Sequence, residues 1–133
     1  MATTDGGRAA LETSAGAAGP EAEYLAHLQA GRFMIQRSRA TGQHVFYPRV
    51  AVPGTGRQDL EWVPASGHGT VYSVTVNRSR DGTYNVALID LAEGPRMMSR
   101  IEGVETLPVG APVKARIAAT PDGPAVVFDP AGV

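Results

Sequence analysis

The 133-residue sequence contains no cysteine. That excludes disulfides, thiolate catalysis and any cysteine-ligated zinc or iron–sulfur centre. Histidine is sparse: His27, His44 and His68 lie far apart, without the short helical or hairpin spacing of a metal-ligand pair, and read as surface or locally hydrogen-bonded side chains. Net charge is nearly absent. Twelve Lys and Arg against thirteen Asp and Glu leave a formal −1, so the chain as a whole has no long-range attraction for phosphate backbones or anionic lipid. No apolar run approaches the roughly 18 residues of a membrane span, and no charged N-terminal segment leads into an apolar one. The expectation is a cytoplasmic protein with no membrane partner.

What is present is ordinary for a folded protein: 43% hydrophobic and 19% charged residues, in a length that suits one main domain with a small appendage. Eleven of the twelve basic residues are arginine, which reads first as compositional bias, although guanidinium is also the better fork for phosphate or carboxylate. Residues 1–19, rich in Ala, Gly, Thr and Ser, have no aromatic or β-branched aliphatic anchor and read as a disordered tail. From Pro20, the segment PEAEYLAHLQAG opens on proline and acidic residues, places Tyr24, Leu25 and Leu28 at helical spacing and closes on Gly31. A short amphipathic helix is predicted there.

Phe33–Gln36 and Gln43–Phe46 are β-prone and flank a Thr41-Gly42 turn, after which Pro48, Pro53, Gly54 and Gly56 interrupt the chain. Helix and thin hairpin together make one segment, residues 20–58. Residues 59–133 are strand-like. GTVYSVTVNR, with Val71, Val74 and Val76 on one face, TYNVALIDL, RMMSRIEG, PVKARIAAT and AVVFDP make five short strands separated by turn signals. That order suits a five-stranded OB-fold barrel, so the predicted class is mainly β.

No catalytic residue is identified. Asp59, Glu61, Asp81, Asp90, Glu93, Glu102 and Glu105 form no evident functional pair and read as solvated faces and turns. Ser66-Gly67-His68-Gly69 lacks the strand-to-helix context of a nucleophile elbow, and its glycines suit a close backbone approach instead. The arginines are more informative. Arg32, Arg37, Arg39, Arg49 and Arg57 concentrate positive charge around the hairpin, and Arg37, Arg39 and Arg49 are candidate contacts for the phosphates of a ligand or for an acidic partner surface.

The order of helix, hairpin framed by Arg37 and Pro48, Trp62 followed by Ser66-Gly67-His68-Gly69-Thr70-Val71, and a late Leu107-Pro108-Val109-Gly110 turn resembles a known family over about residues 20–130. It is similar to the acyl-CoA-associated, thiolase-associated OB-fold domains of unknown function that carry an N-terminal rubredoxin-like zinc ribbon. The resemblance implies two Cys-x-x-Cys knuckles, whose matching positions are Ser38 and Thr41, and Val52 and Thr55. Hydroxyls are poor ligands at neutral pH and valine has no donor, so the ribbon reads as degenerate, with zinc and other cofactors not expected. Losing the metal would leave the hairpin dependent on Phe33, Ile35, Val45 and Phe46, on the helix or on a partner chain. The resemblance further implies a noncatalytic accessory or scaffold subunit for a thiolase-like, synthase-like or hydratase-like acyl-CoA enzyme, with acyl-CoA itself as a candidate ligand. The alternative is a single-stranded nucleic-acid-binding OB fold, supported by Arg78 and Arg80 but weakened by slight acidity and by only Tyr72, Tyr84 and Phe128 as barrel aromatics.

Overall fold

The computed structural model describes residues 19–51 and 58–131. The predicted tail, the Pro53-Gly54-Thr55-Gly56 turn, Val52 and Arg57 therefore lie outside the described residues, save Gly19. The chain divides into two compact units between Val63 and Pro64. No described helix is long and apolar enough to cross a membrane.

The first unit opens with helix α1 (Pro20–Gln29), where Pro20 needs no backbone donor in the first turn and Glu21 and Glu23 oppose the positive helix end. Gly31, at φ 81°, ends it: its amide donates to Leu28 O, and Arg32 N donates to His27 O, which satisfies two terminal carbonyls. Strand β1 (Met34–Ser38) pairs antiparallel with β2 (His44–Val45), and β3 (Leu60–Pro64) lies on the other side of β1. Leu28, Ile35 and Val45 are buried, and the Phe46 ring meets Tyr24 edge-on at 5.5 Å. Burial, with Tyr47 nearby, pushes the Tyr24 phenol well above its usual range. Leu60–Pro64, at the head of the strand-rich half of the sequence, thus belongs to this three-stranded sheet.

The second unit is a five-stranded antiparallel sheet in the order β6-β5-β4-β7-β8, formed by β4 (His68–Ser79), β5 (Gly82–Leu91), β6 (Arg96–Ser99), β7 (Pro112–Thr120) and β8 (Gly123–Pro130). The five predicted strands are all present. The sheet curls until its ends meet: Ile101 and Phe128 form a parallel bridge, Phe128 N donates to Arg100 O, and Ser99 Oγ donates to Val126 O. This is the nearly closed barrel of an OB fold. Val71, Ala87, Ile89, Leu91, Met97, Ile101, Val113 and Phe128 are buried in its core.

Strand β4 bends to serve two neighbours. Its register against β5 slips between Val71 and Ser73, so Tyr72 is an extra residue, and the interval of three between Val71 and Val74 in the sequence is the trace of that bulge. Gly69 sits where β4 crosses closest to β5: a Cβ there would lie 2.8 Å from Ile89 Cγ2 and 2.9 Å from Asp90 O. The close approach expected of this glycine is real. Pro124, read from sequence as part of a turn, is already in β8, which tolerates it as an edge strand lacking one ladder donor.

Asn85, on β5, is 6% exposed and holds the chain after β6. Its Nδ2 reaches the carbonyls of Ile101, Val104 and Glu105 at 3.0, 3.3 and 3.2 Å, and its Oδ1 accepts the Ile101 amide at 2.8 Å. Replacement by leucine leaves these buried groups unpaired. Asn85→Leu is therefore expected to cost about 2 kcal/mol or more, lowering the thermal midpoint by roughly 10 °C when unfolding is followed by circular dichroism. Gly69→Ala should cost about 1–3 kcal/mol by overpacking.

Candidate functional site

The β1–β2 hairpin and β3 carry most of the residues singled out by sequence. Arg37 and Arg39, two positions apart along β1 and its turn, converge on Glu61 of β3: Arg39 Nε lies 3.3 Å from Oε1 and Arg37 Nε 3.7 Å from Oε2. Glu61 was read as a solvated carboxylate; it is the counter-charge of both candidates. Arg37 Nε is shielded from water and makes no hydrogen bond among the described residues. The Arg39 side chain is 70% exposed, so its pair contributes at most about 1 kcal/mol and leaves most of the guanidinium free to meet another anion.

Arg49 is placed differently. Its backbone is gripped by the buried Gln36 side chain, with Arg49 N donating to Oε1 at 2.6 Å and Nε2 donating to Arg49 O at 2.7 Å. The amide replaces the ladder bonds that a strand partner would supply. Among the described residues Arg49 forms no ion pair, and the structure brings only Arg37 and Arg39 together on one carboxylate.

The two described positions matched to metal ligands, Ser38 and Thr41, are engaged in hydrogen bonds. Ser38 is fully buried; its hydroxyl lies 3.0 and 3.2 Å from the two Asp59 carboxylate oxygens and accepts the Thr41 amide at 3.3 Å. The Thr41 hydroxyl accepts the Gln43 amide at 3.2 Å. Val52 and Thr55 lie outside the described residues, where threonine offers a hydroxyl and valine no donor. The residues present do not fit a zinc ion, which wants thiolate or imidazole. Among the described residues no three His, Asp or Glu side chains converge as a metal site. Asp59, also read as solvated, is the residue that sequence reasoning missed here. A signal was available: Asp59 and Glu61 repeat at the strand period, as do Arg37 and Arg39, giving complementary charge on two short segments.

In the barrel, Ser66-Gly67-His68-Gly69 shows no nucleophile geometry. His68 meets Ser66 Oγ through its backbone amide, at 3.1 Å, rather than its imidazole. The Ser66 amide donates to Glu93 at 2.6 Å, and Lys114 Nζ donates to Ser66 O at 2.9 Å. The outer barrel face carries Tyr72, Tyr84 and Met98, all substantially exposed, and the Arg96 guanidinium lies 3.4 Å above the Tyr72 ring. Three of the barrel arginines are paired within the chain: Arg96 with Asp90, Arg78 with Glu105 and Arg100 with Glu102. On the neighbouring strands Arg116 binds both Asp129 oxygens and lowers the pKa of that carboxyl.

The two polar devices of the hairpin should separate in a melt followed by Trp62 fluorescence. Gln36→Leu, which strands the Arg49 amide and carbonyl, is expected to cost about 1–3 kcal/mol, whereas Glu61→Gln should stay within about 1 kcal/mol.

Comparison with known proteins agrees with the OB fold. Residues 62–118 match the family model of the ChsH2 C-terminal OB-fold domain. A solved structure described as an Ltp2-ChsH2(DUF35) aldolase is 28% identical, with a TM-score of 0.75, covering 94% of this chain and all of that one. A crystal structure of a protein of unknown function from the DUF35 family of Sulfolobus solfataricus is 17% identical, with a TM-score of 0.61, over 81% of this chain and 82% of that one. No curated protein matches. Residues 62–118 are thus similar to the ChsH2 C-terminal OB-fold domain, and the chain as a whole is similar to solved DUF35 proteins.

Proposed function

We propose that this chain is a noncatalytic accessory subunit of an acyl-CoA-metabolising enzyme of the thiolase-like or aldolase class. The observation that carries this reading is the full-length likeness to a chain described as an Ltp2-ChsH2(DUF35) aldolase. The surface chemistry supports it. A face with exposed tyrosine and methionine, bordered by arginines already neutralised by carboxylates, has the composition of a protein interface rather than of a polyanion groove. Ser66 and His68, joined through a main-chain amide, offer no activated nucleophile. The chemistry then belongs to the partner.

Within this reading Arg37, Arg39 and Arg49 are the candidate contacts for coenzyme A phosphates or for the partner, and the hairpin works without zinc. Glu61 competes for Arg37 and Arg39, so an incoming anion must share them. A second reading, single-stranded nucleic-acid binding, is favoured by Tyr72 and Tyr84 on the outer face of an OB barrel and by Arg80, while Arg78 is paired with Glu105.

Co-expression with an acyl-CoA aldolase or thiolase-like enzyme from the same genome should yield a stoichiometric complex on gel filtration. Absence of any complex, combined with oligonucleotide binding by fluorescence anisotropy at moderate salt, would replace the first reading by the second. Reversal of Arg37, Arg39 and Arg49 to glutamate together should weaken partner or coenzyme A binding about tenfold or more, roughly 1.4 kcal/mol, with the barrel's circular dichroism unchanged. Binding that survives the triple reversal removes the arginines from the interface.

A further inference from the structure

The disagreement between hairpin and metal site has a positive side. Asp59 lies just before β3, twenty-one residues from Ser38 at the end of β1, and the Arg39, Ala40, Thr41 and Gly42 amides of the intervening hairpin turn are each directed to one of these two residues. Ser38 Oγ and the Ala40 amide both approach Asp59 Oδ2, at 3.0 and 2.9 Å. The Arg39 amide donates to Asp59 O at 3.1 Å. The Thr41 amide donates to Ser38 Oγ, and the Gly42 amide to Ser38 O at 2.8 Å, with Gly42 in the left-handed conformation (φ 79°) that closes the turn. In a structural zinc site the ion ties ligands of one turn to ligands on a distant piece of chain. Here the Ser38 hydroxyl accepts a turn amide and the Asp59 carboxylate is the tie.

We propose that Asp59 performs the cross-linking that zinc performs in the ribbon this segment resembles, so that the hairpin and β3 are held by a serine–carboxylate clamp that neither metal nor thiols enter. Hydrogen bonds from a hydroxyl and an amide to an ionised carboxylate are among the stronger ones, and burial of Ser38 shields this pair from water. The clamp closes a loop of chain, and since it is noncovalent its hydrogen bonds must offset the loop-closure entropy, which grows only slowly with loop length. Glu61, two residues further on, extends the attachment by holding Arg37 and Arg39, so the clamp also sets where those guanidiniums sit. With no cysteine anywhere in the chain, the arrangement is indifferent to chelators and to thiol oxidants.

Trp62, the one tryptophan, lies in the same unit, with its ring 5.2 Å from that of His27 and its Nε1 donating to Glu23, and its fluorescence reports on that unit directly. In the full chain, EDTA, added zinc and the thiol oxidant diamide are expected to leave the Trp62 transition in place, and native mass spectrometry of untagged protein is expected to show no bound zinc. Ser38→Ala and Asp59→Ala should each lower that transition by roughly 5–10 °C, and the double variant should fall no further than the worse single one. Stoichiometric zinc, a transition shifted by EDTA, losses that simply add, or an unmoved transition in Asp59→Ala would each overturn the proposal. Should the variants fail to fold, hydrogen exchange in the wild-type chain decides: protected Ala40 and Thr41 amides are expected, and free exchange at both refutes the clamp.

Discussion

The barrel depends on one strand being shared by two neighbours. β4 pairs with β5 along nearly its whole length while its first residues, His68 to Thr70, also pair with β7. A flat strand cannot lie in both directions at once. The bulge at Tyr72 supplies the bend, and Gly69 supplies the closeness, since any side chain at that point would enter the Ile89 methyl and the Asp90 carbonyl. Once β4 is bent, the outer strands can come round far enough for Ile101 to meet Phe128, and the apolar faces of all five strands point at one another. Closure also removes much of the exposed edge that an open sheet of this size would present.

The two units are held by different physics. The barrel has a continuous apolar interior, with Asn85 as a fully satisfied polar insertion that ties down the irregular chain after β6. The helix and three-stranded sheet have few buried apolar residues and rely on side chains that imitate other attachments: Gln36 stands in for a strand, and Asp59 for a cross-link. A small sheet cannot bury enough area to hold itself by the hydrophobic effect alone, so it needs specific polar ties. Such ties are directional and fix geometry. That suits a segment whose proposed task is to present arginines in a defined place.

The charge distribution gives the proposed accessory role its physical sense. Nearly every described arginine on the barrel has a carboxylate of its own, which leaves a surface of low net charge around exposed tyrosine and methionine. Pairing of this kind suppresses attraction to nucleic acid and leaves shape and apolar area to decide what binds. The balance differs on the β1–β2 hairpin, where Glu61 is shared between two guanidiniums and Arg49 keeps its charge to itself among the described residues.

Residue types in the sequence determined the elements: proline, acidic residues and Gly31 bounded the helix, alternation and turn residues marked the five barrel strands, and the absence of cysteine excluded thiolate ligands. These are local facts, set by backbone sterics, hydrogen-bond capacity and side-chain chemistry. Even the β4 bulge was written as an interrupted run of valines. Tertiary structure alone decided the partners. Asp59 and Glu61 looked like solvated carboxylates because nothing local reveals which amides and guanidiniums fall within 3 or 4 Å of them. Gln36 and Asn85 likewise carried no sign of burial, since an amide on a strand is buried only where the fold offers it unpaired backbone groups to satisfy.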